Sequence, residues 1–200
     1  MQLKISNVKV SFVLRGINLI TFNRLKKNLR CKVYGNFIVF RIPNTTVCTL
    51  FSTGHVNATG IKKLALIDRA AEAIRVELNK SLLPRDSHTS AGLFMGDKGI
   101  TVDNISATGF FQPIKDNFVK IISQLHLISK VHNKVLKVNY NNQKFPGLFI
   151  KTKLAMVIAY KSGKFVIVGC GNTESLKKTA VVISHIFLSP SHGITQTHEK

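Results

Sequence analysis

The chain has no Trp, only 9 acidic residues and only 3 Cys among its 200 residues. The cysteines, Cys31, Cys48 and Cys170, lie far apart. No CxxC pair exists to clip a zinc ion. An odd count of scattered thiols fits free cysteines in a reducing compartment. No apolar run approaches the roughly 20 residues that cross a bilayer, and the opening MQLKISNVKV does not read as a signal peptide. The Asn44-Thr-Thr and Asn57-Ala-Thr sequons are therefore expected to be fortuitous.

What is abundant is positive charge. Lys and Arg number 29, which gives a formal net charge of +20. Such an excess points to a polyanion, with nucleic acid first and a membrane surface as the rival. A solvated basic coat is the plain alternative. A hydrophobic fraction of 44% and 13 Phe argue for a packed fold over a basic tail. The length suits one domain or two small ones, burying roughly 70% of the unfolded surface.

The chain repeats itself. LFSTGHVNATGIKK (50–63) returns as AYKSGKFVIVGCG (159–171), with Gly54 on Gly163, Gly60 on Gly169 and Phe51 on Tyr160. Upstream, Asn7 of ISNVKVSF falls on Asn104 of VDNISATGF. Apolar periodicity predicts a strand over 3–12 and a helix over 18–29. Strands over 32–42, 47–53 and 55–59 and a helix over 61–82 follow. The second copy predicts a strand over 100–110 and a helix over 114–130. Strands over 134–140, 148–153, 155–161 and 164–169 and a helix over 173–188 complete it. The expected organisation is a first repeat over 1–83, a linker over 84–99, a second repeat over 100–189 and a flexible tail over 190–200. Short connections imply antiparallel pairing, so the class is α+β.

Strand alternation separates two faces. One parity is wholly apolar: Val8, Val10, Phe12, Cys48, Leu50, Val56 and Ala58, then Ile105, Ala107, Val157, Ala159, Phe165 and Ile167. This face is expected beneath the helices. The other parity mixes amides, hydroxyls, aliphatics and aromatics. It holds Asn7, Lys9, Ser11, Thr49, Phe51, Asn57 and Thr59, then Asn104, Ser106, Thr108, Ile158, Tyr160, Val166 and Val168. A partly apolar face left open usually marks a binding surface. Asn is depleted in strand interiors, and an Asn amide can donate to minor-groove base acceptors. Either Asn could instead cap a local turn, but two at matching points of two repeats favour recognition.

At these residues the chain resembles the TATA-box-binding protein family. The match is carried by SNV and DNI, by LFSTGHVNATG, by KFPGLF (144–149) and by AYKSGKFVIVG. The divergence elsewhere is that of a distant relative, with a viral origin one way to reach it. The resemblance implies a saddle. Two pseudo-symmetric halves would form one curved antiparallel sheet with helices on the convex side and the concave side on the DNA minor groove. This family is itself a standard example of minor-groove bending by inserted wedges. Carried over by residue, Phe145 and Tyr160 match the wedge pair of the second half. Phe51 matches one wedge of the first, with Tyr34 nearest to the other. Asn7 and Asn104 match the central base-contacting pair, and Thr59 a flanking Thr.

The departures are specific. Val168 stands where the family has the second Thr, and Lys9, Ser106 and Asn57 replace Val. Thr49 replaces Leu, while Ile158 and Val166 stay apolar. The groove-facing floor is thus more polar in the first half. Strict TATA preference is weakened, and an A·T-rich preference remains. The acids that precede FPG in the family are missing from NYNNQKFPG. Helix 61–82 corresponds to the family's basic convex helix, with Lys62, Lys63, Arg69 and Arg75 as candidate partner contacts. A solvated amphipathic helix explains the same charges.

The resemblance implies a transcription initiation factor that binds double-stranded A·T-rich promoter DNA. Its partners would be general transcription factors or RNA polymerase components. It would act in the nucleus, the host's nucleus should the origin be viral. No cofactor, metal, membrane or small-molecule substrate is implied. The alternative is a saddle-shaped protein–protein interaction module that has lost specific TATA binding. The one enzyme-like motif, FVIVGCGNTESLKK (165–178), mimics a dinucleotide loop, but Glu174 takes the place of its third Gly. No acid follows at ribose-binding distance. The His residues form no catalytic cluster, so no enzymatic activity is expected.

Overall fold

NVKVSF (7–12) alternates polar and apolar residues without a break, and it lies within strand β1 (Gln2–Arg15). The computed structural model of the chain describes residues 2–42, 46–82, 92–131 and 137–188. The expected tail, the first half of the expected linker and the start of the strand expected over 134–140 lie outside them. Two units emerge, Ile5–Asn104 and Met1–Lys4 with Ile105–Lys200.

In the first unit β1 leads to α1 (Leu19–Asn28). Asn18 caps this helix, accepting from the Thr21 amide at 2.8 Å, and Lys26 and Lys27 sit favourably in its last turn. Next come β2 (Cys31–Tyr34), β3 (Phe37–Arg41), β4 (Val47–Phe51) and β5 (His55–Ile61). The sheet order is β2-β3-β4-β5-β1, antiparallel throughout. A 3-10 turn, Leu64–Leu66, precedes α2 (Ile67–Leu82). Ala71, Ile74, Leu78 and Leu82 form the buried stripe of α2, which lies against β5 and α1. Full burial of Ile74 or Leu78 contributes about 2 kcal/mol each.

The second unit repeats the order. It comprises β7 (Thr101–Phe110), whose first four residues, through Asn104, belong to the first unit, then α3 (Gln112–Val131), β8 (Lys137–Asn139), β9 (Gly147–Lys151), β10 (Met156–Tyr160), β11 (Lys164–Cys170) and α4 (Thr173–Leu188). Its sheet order is β8-β9-β10-β11-β7. Helix α3 packs on β10 and α4 on β11. Phe165 and Phe187 are among the largest fully buried side chains of the unit.

Three expectations change. The run 32–42 is a hairpin, because Gly35 takes a positive φ of 27° and turns the chain between β2 and β3. The helix expected from residue 61 begins at Ile67: Ile61 is the last residue of β5, and Lys63 is extended at φ −145°, ψ 140°. Within the expected linker, β6 (Phe94–Met95) pairs with Leu14 and Arg15 of β1.

The parity expected to be buried is buried without exception, from Val8 to Ile167. Cys48 lies in that layer, fully enclosed, and burial pushes its thiol up to about 12. The unfolded chain releases this proton near its ordinary value of 9.0, while the folded chain holds it to about 12. Stability therefore falls as pH rises through that window, by about 1.4 kcal/mol per pH unit for this one group. Urea melts between pH 9 and 12 should show Cys48→Val losing less stability per pH unit than wild type; equal slopes would exclude Cys48 as the source.

Candidate nucleic-acid interface

The opposite parity forms an open, half-buried face on each sheet. Register aligns its members into rows. In the first unit Ser11 faces Asn57, Asn57 faces Thr49 and Thr49 faces Val39. In the second unit Thr108 faces Val166, Val166 faces Ile158 and Ile158 faces Phe149. The first row is polar for three of its four places, and the second is apolar after Thr108. Val168 continues the apolar character opposite Met156, whereas Ser106 is buried.

A bulge organises the inner end of each face. In β5 the residues Thr59 and Gly60 fall between the Val10↔Ala58 and Val8↔Ile61 pairs. The matching irregularity in β11 lies between Ile167 and Cys170. Extra residues at such points bend the strand and re-aim its groups. Here the Gly60 amide donates to Asn7 Oδ1 at 2.7 Å, and Thr59 Oγ1 donates to the same oxygen at 3.2 Å. A backbone N–H can only donate, so the Asn7 carbonyl must face it. The other end of the amide, Nδ2, offers donors alone. Asn104 occupies the corresponding point of β7 and is half-buried.

The candidate wedges gather into ring clusters. Tyr34 stacks on Phe37 at 5.0 Å and 17°, and Phe37 meets Phe51 at 5.6 Å. In the second unit Phe145 lies 5.2 Å from Phe149 and 6.1 Å from Tyr160. Phe37 and Phe149 belong to these clusters although the sequence reading passed over both. Phe37 was hidden because 32–42 read as one strand, and splitting it at Gly35 exposes the alternation Phe37, Val39, Arg41 on one side. By register Phe37 faces Phe51, while Gly147 faces Tyr160. A Cβ at Gly147 would lie 2.5 Å from the Phe145 ring and 2.8 Å from Ile158 Cγ2. Glycine there lets the Phe145 ring lie across the strand; the first unit fills the same place with the ring of Phe37. Beside Tyr160 a hollow of about 600 Å³ opens between Thr108, Phe110, Lys164 and Val166.

The candidate partner contacts do not share one helix. Lys62 and Lys63 precede α2, and Lys62 Nζ donates to the Ser6 carbonyl at 2.8 Å. Both follow the bulged end of β5, which keeps the chain extended where helix was expected. Arg69 is exposed on α2. Arg75 binds Glu72 through two nitrogens, at 2.6 and 2.8 Å, which lowers the Glu72 carboxyl and raises the guanidinium. It also reaches the Leu93 carbonyl at 3.4 Å, and Asn79 Oδ1 accepts from the Leu93 amide at 2.8 Å. Arg75 thus helps to clamp residues 92–96 onto α2.

The dinucleotide-loop resemblance lacks its structural context. Strand β11 is antiparallel to both neighbours, so no parallel βαβ unit surrounds Gly169 and Gly171. Asn172 instead caps α4, accepting from the Ser175 amide at 2.8 Å. Among the described residues no helix is long and apolar enough to cross a membrane.

Residues 117–188 match the family model described as Transcription factor TFIID (or TATA-binding protein, TBP). No curated protein matches the sequence. Among solved structures, Methanococcus jannaschii TBP is similar with a TM-score of 0.68 at 22% identity, over 94% of this chain and 99% of that one. A heterotetrameric sarcosine oxidase from Corynebacterium sp. U-96, in complex with pyrrole 2-carboxylate, reaches a TM-score of 0.32 at 7% identity. It covers 96% of this chain and 86% of its own, and a superposition so loose carries no argument.

The Asn7 arrangement has a direct readout. In Asn7→Ala the Gly60 amide loses its acceptor, worth about 1 kcal/mol. Hydrogen exchange of Gly60 should accelerate about fivefold, with the amides of β3 unchanged; an unaltered Gly60 rate would refute the bond.

Proposed function

We propose that this chain, a divergent member of the TATA-binding-protein family, binds A·T-rich promoter DNA through the minor groove and bends it with aromatic wedges. The family and the fold imply a TBP-like DNA-binding transcription factor. The observation that carries the finer reading is the pair of ring clusters, Tyr34–Phe37–Phe51 and Phe145–Phe149–Tyr160, on the open faces of both units. Flat rings backed by a rigid sheet can enter a base step, and the unstacking cost is offset by contact along a bent duplex.

Each residue then has a task. Asn7, Asn104, Asn57 and Thr59 meet base edges, with the Asn7 Nδ2 donors aimed at adenine N3 or thymine O2. Val166, Val168 and Ile158 supply close apolar contact. Phe51, Phe145 and Tyr160 act as wedges, and Tyr34 supports Phe37. The charge of +20 supplies the sequence-independent attraction to phosphates. General transcription factors or RNA polymerase components would meet the helical side, through Lys62, Lys63 and Arg69, in the nucleus. The acid-free run before Phe145 favours partners other than those that meet an acidic surface there.

The polar row Ser11–Asn57–Thr49 favours one alternative, a saddle-shaped interaction module without specific DNA binding. Gel shifts on A·T-rich and G·C-rich duplexes across a salt series separate the two. The DNA reading expects binding at low salt, weakening steeply with salt, and an A·T preference. Phe51→Ala and Phe145→Ala should each weaken A·T-rich binding about ten- to a hundredfold and reduce the bend. Absence of binding at low salt would exclude the DNA reading.

A further inference from the structure

The open face of the first unit holds the carboxylate of Asp103. Ser11 Oγ donates to Asp103 Oδ1 at 2.8 Å, and Lys9 Nζ stands 3.6 Å from Asp103 Oδ2. Ser11 and Lys9 both belong to the open parity of β1, and their contacts draw the Asp103 carboxylate to that face, although Asp103 shares its parity on β7 with the buried Ile105 and Ala107. It remains accessible, with side-chain exposures of 43% for Lys9 and 27% for Asp103. Its neighbours on the sheet are Asn57, which faces Ser11, and the Asn7–Thr59–Gly60 group at the bulge.

An anion is an odd occupant of a surface that meets a minor groove. The edges of A·T pairs present only acceptors there, adenine N3 and thymine O2. A carboxylate is acceptor-only and gains nothing from them. The groove offers one donor, the guanine N2 amino group. Two carboxylate oxygens provide about four acceptor positions. One Ser hydroxyl and one lysine contact leave room for another donor. Lys9 completes the match: its ammonium offsets the negative charge against the phosphates and can donate to guanine N3 or cytosine O2. Acceptor and donors side by side are the complement of a G·C edge, and no A·T edge fits them.

We propose that Asp103, positioned by Ser11 and Lys9, reads the amino group of a guanine, so that the first unit selects a G·C pair at one position inside an otherwise A·T-rich site. This rests on the minor-groove reading above. The Asn7, Asn57 and Thr59 donors address the acceptors of neighbouring pairs, and the apolar row of the second unit has no comparable acceptor.

The test uses base analogues. A duplex bound by wild type is scanned with a single G·C pair at each position, then with inosine·C, which lacks only the amino group. Wild type should bind the G·C duplex about tenfold more tightly than the inosine·C duplex at one position. In Asp103→Ala that difference should vanish, with A·T-only duplexes bound as before or more tightly. Lys9→Ala should weaken all duplexes yet keep the preference for the amino group. The analogue series on wild type needs no variant, so the proposal stays testable if Asp103→Ala does not fold. Equal binding of G·C and inosine·C at every position, on duplexes whose binding Phe51→Ala still weakens, overturns the Asp103 assignment and leaves the minor-groove reading standing. A tenfold difference that persists in Asp103→Ala assigns it to another residue and overturns the proposal. Failure to bind any duplex at low salt removes both readings together.

Discussion

Successive side chains on a strand point to opposite sides, and each unit depends on that constraint. Once Val8, Val10, Leu50, Val56 and Ala58 are sealed in the core, their neighbours must face the other way. The second unit obeys the same rule with Val157, Ala159, Phe165 and Ile167. A one-residue slip in register would drive Asn57 or Lys9 into the core, at a cost of several kcal/mol for each unpaired polar group. The open faces are therefore as firmly specified as the cores, even though helices cover only one side.

The bulges are where that regularity is broken for a purpose. By setting Thr59 and Gly60 of β5 opposite the single residue Lys9, the chain brings a backbone donor within reach of the Asn7 carbonyl. The amide is thereby oriented before any ligand arrives. Pre-orientation of this kind reduces the ordering cost of binding. The price of flexibility is avoided on the ring clusters in another way, since each ring packs against a second ring and loses little freedom on contact.

Much of this was legible in the sequence. The parity sets, the order of elements and the repeat all follow from alternation and from paired landmarks such as Gly54 and Gly163. Both of these glycines hold positive φ, 86° and 87°, at matching hairpin turns. A Cβ at Gly54 would run into the Leu14 carbonyl oxygen. What escaped was set by tertiary placement. The hairpin at Gly35 is flanked by apolar residues on both sides, so periodicity runs through it. Ile61 fits a helical stripe, yet the bulge holds it in β5. Lys62 and Lys63 follow it out of the helix. Phe37 and Phe149 matter because of rings that arrive from elsewhere in the fold. The pairing of Asp103 with Ser11 spans 92 positions and has no local pattern.

The exchange of Phe37 for Gly147 at register-matched places reaches beyond ring packing. A duplicated fold with identical halves would present the same surface twice. This chain has a ring built into the strand in one half and a ring laid over a glycine in the other, with a polar row beside the first and an apolar row beside the second. Unlike halves leave the two units chemically distinguishable, as two identical units would not be. That difference is written into their own sheets and needs no partner to create it.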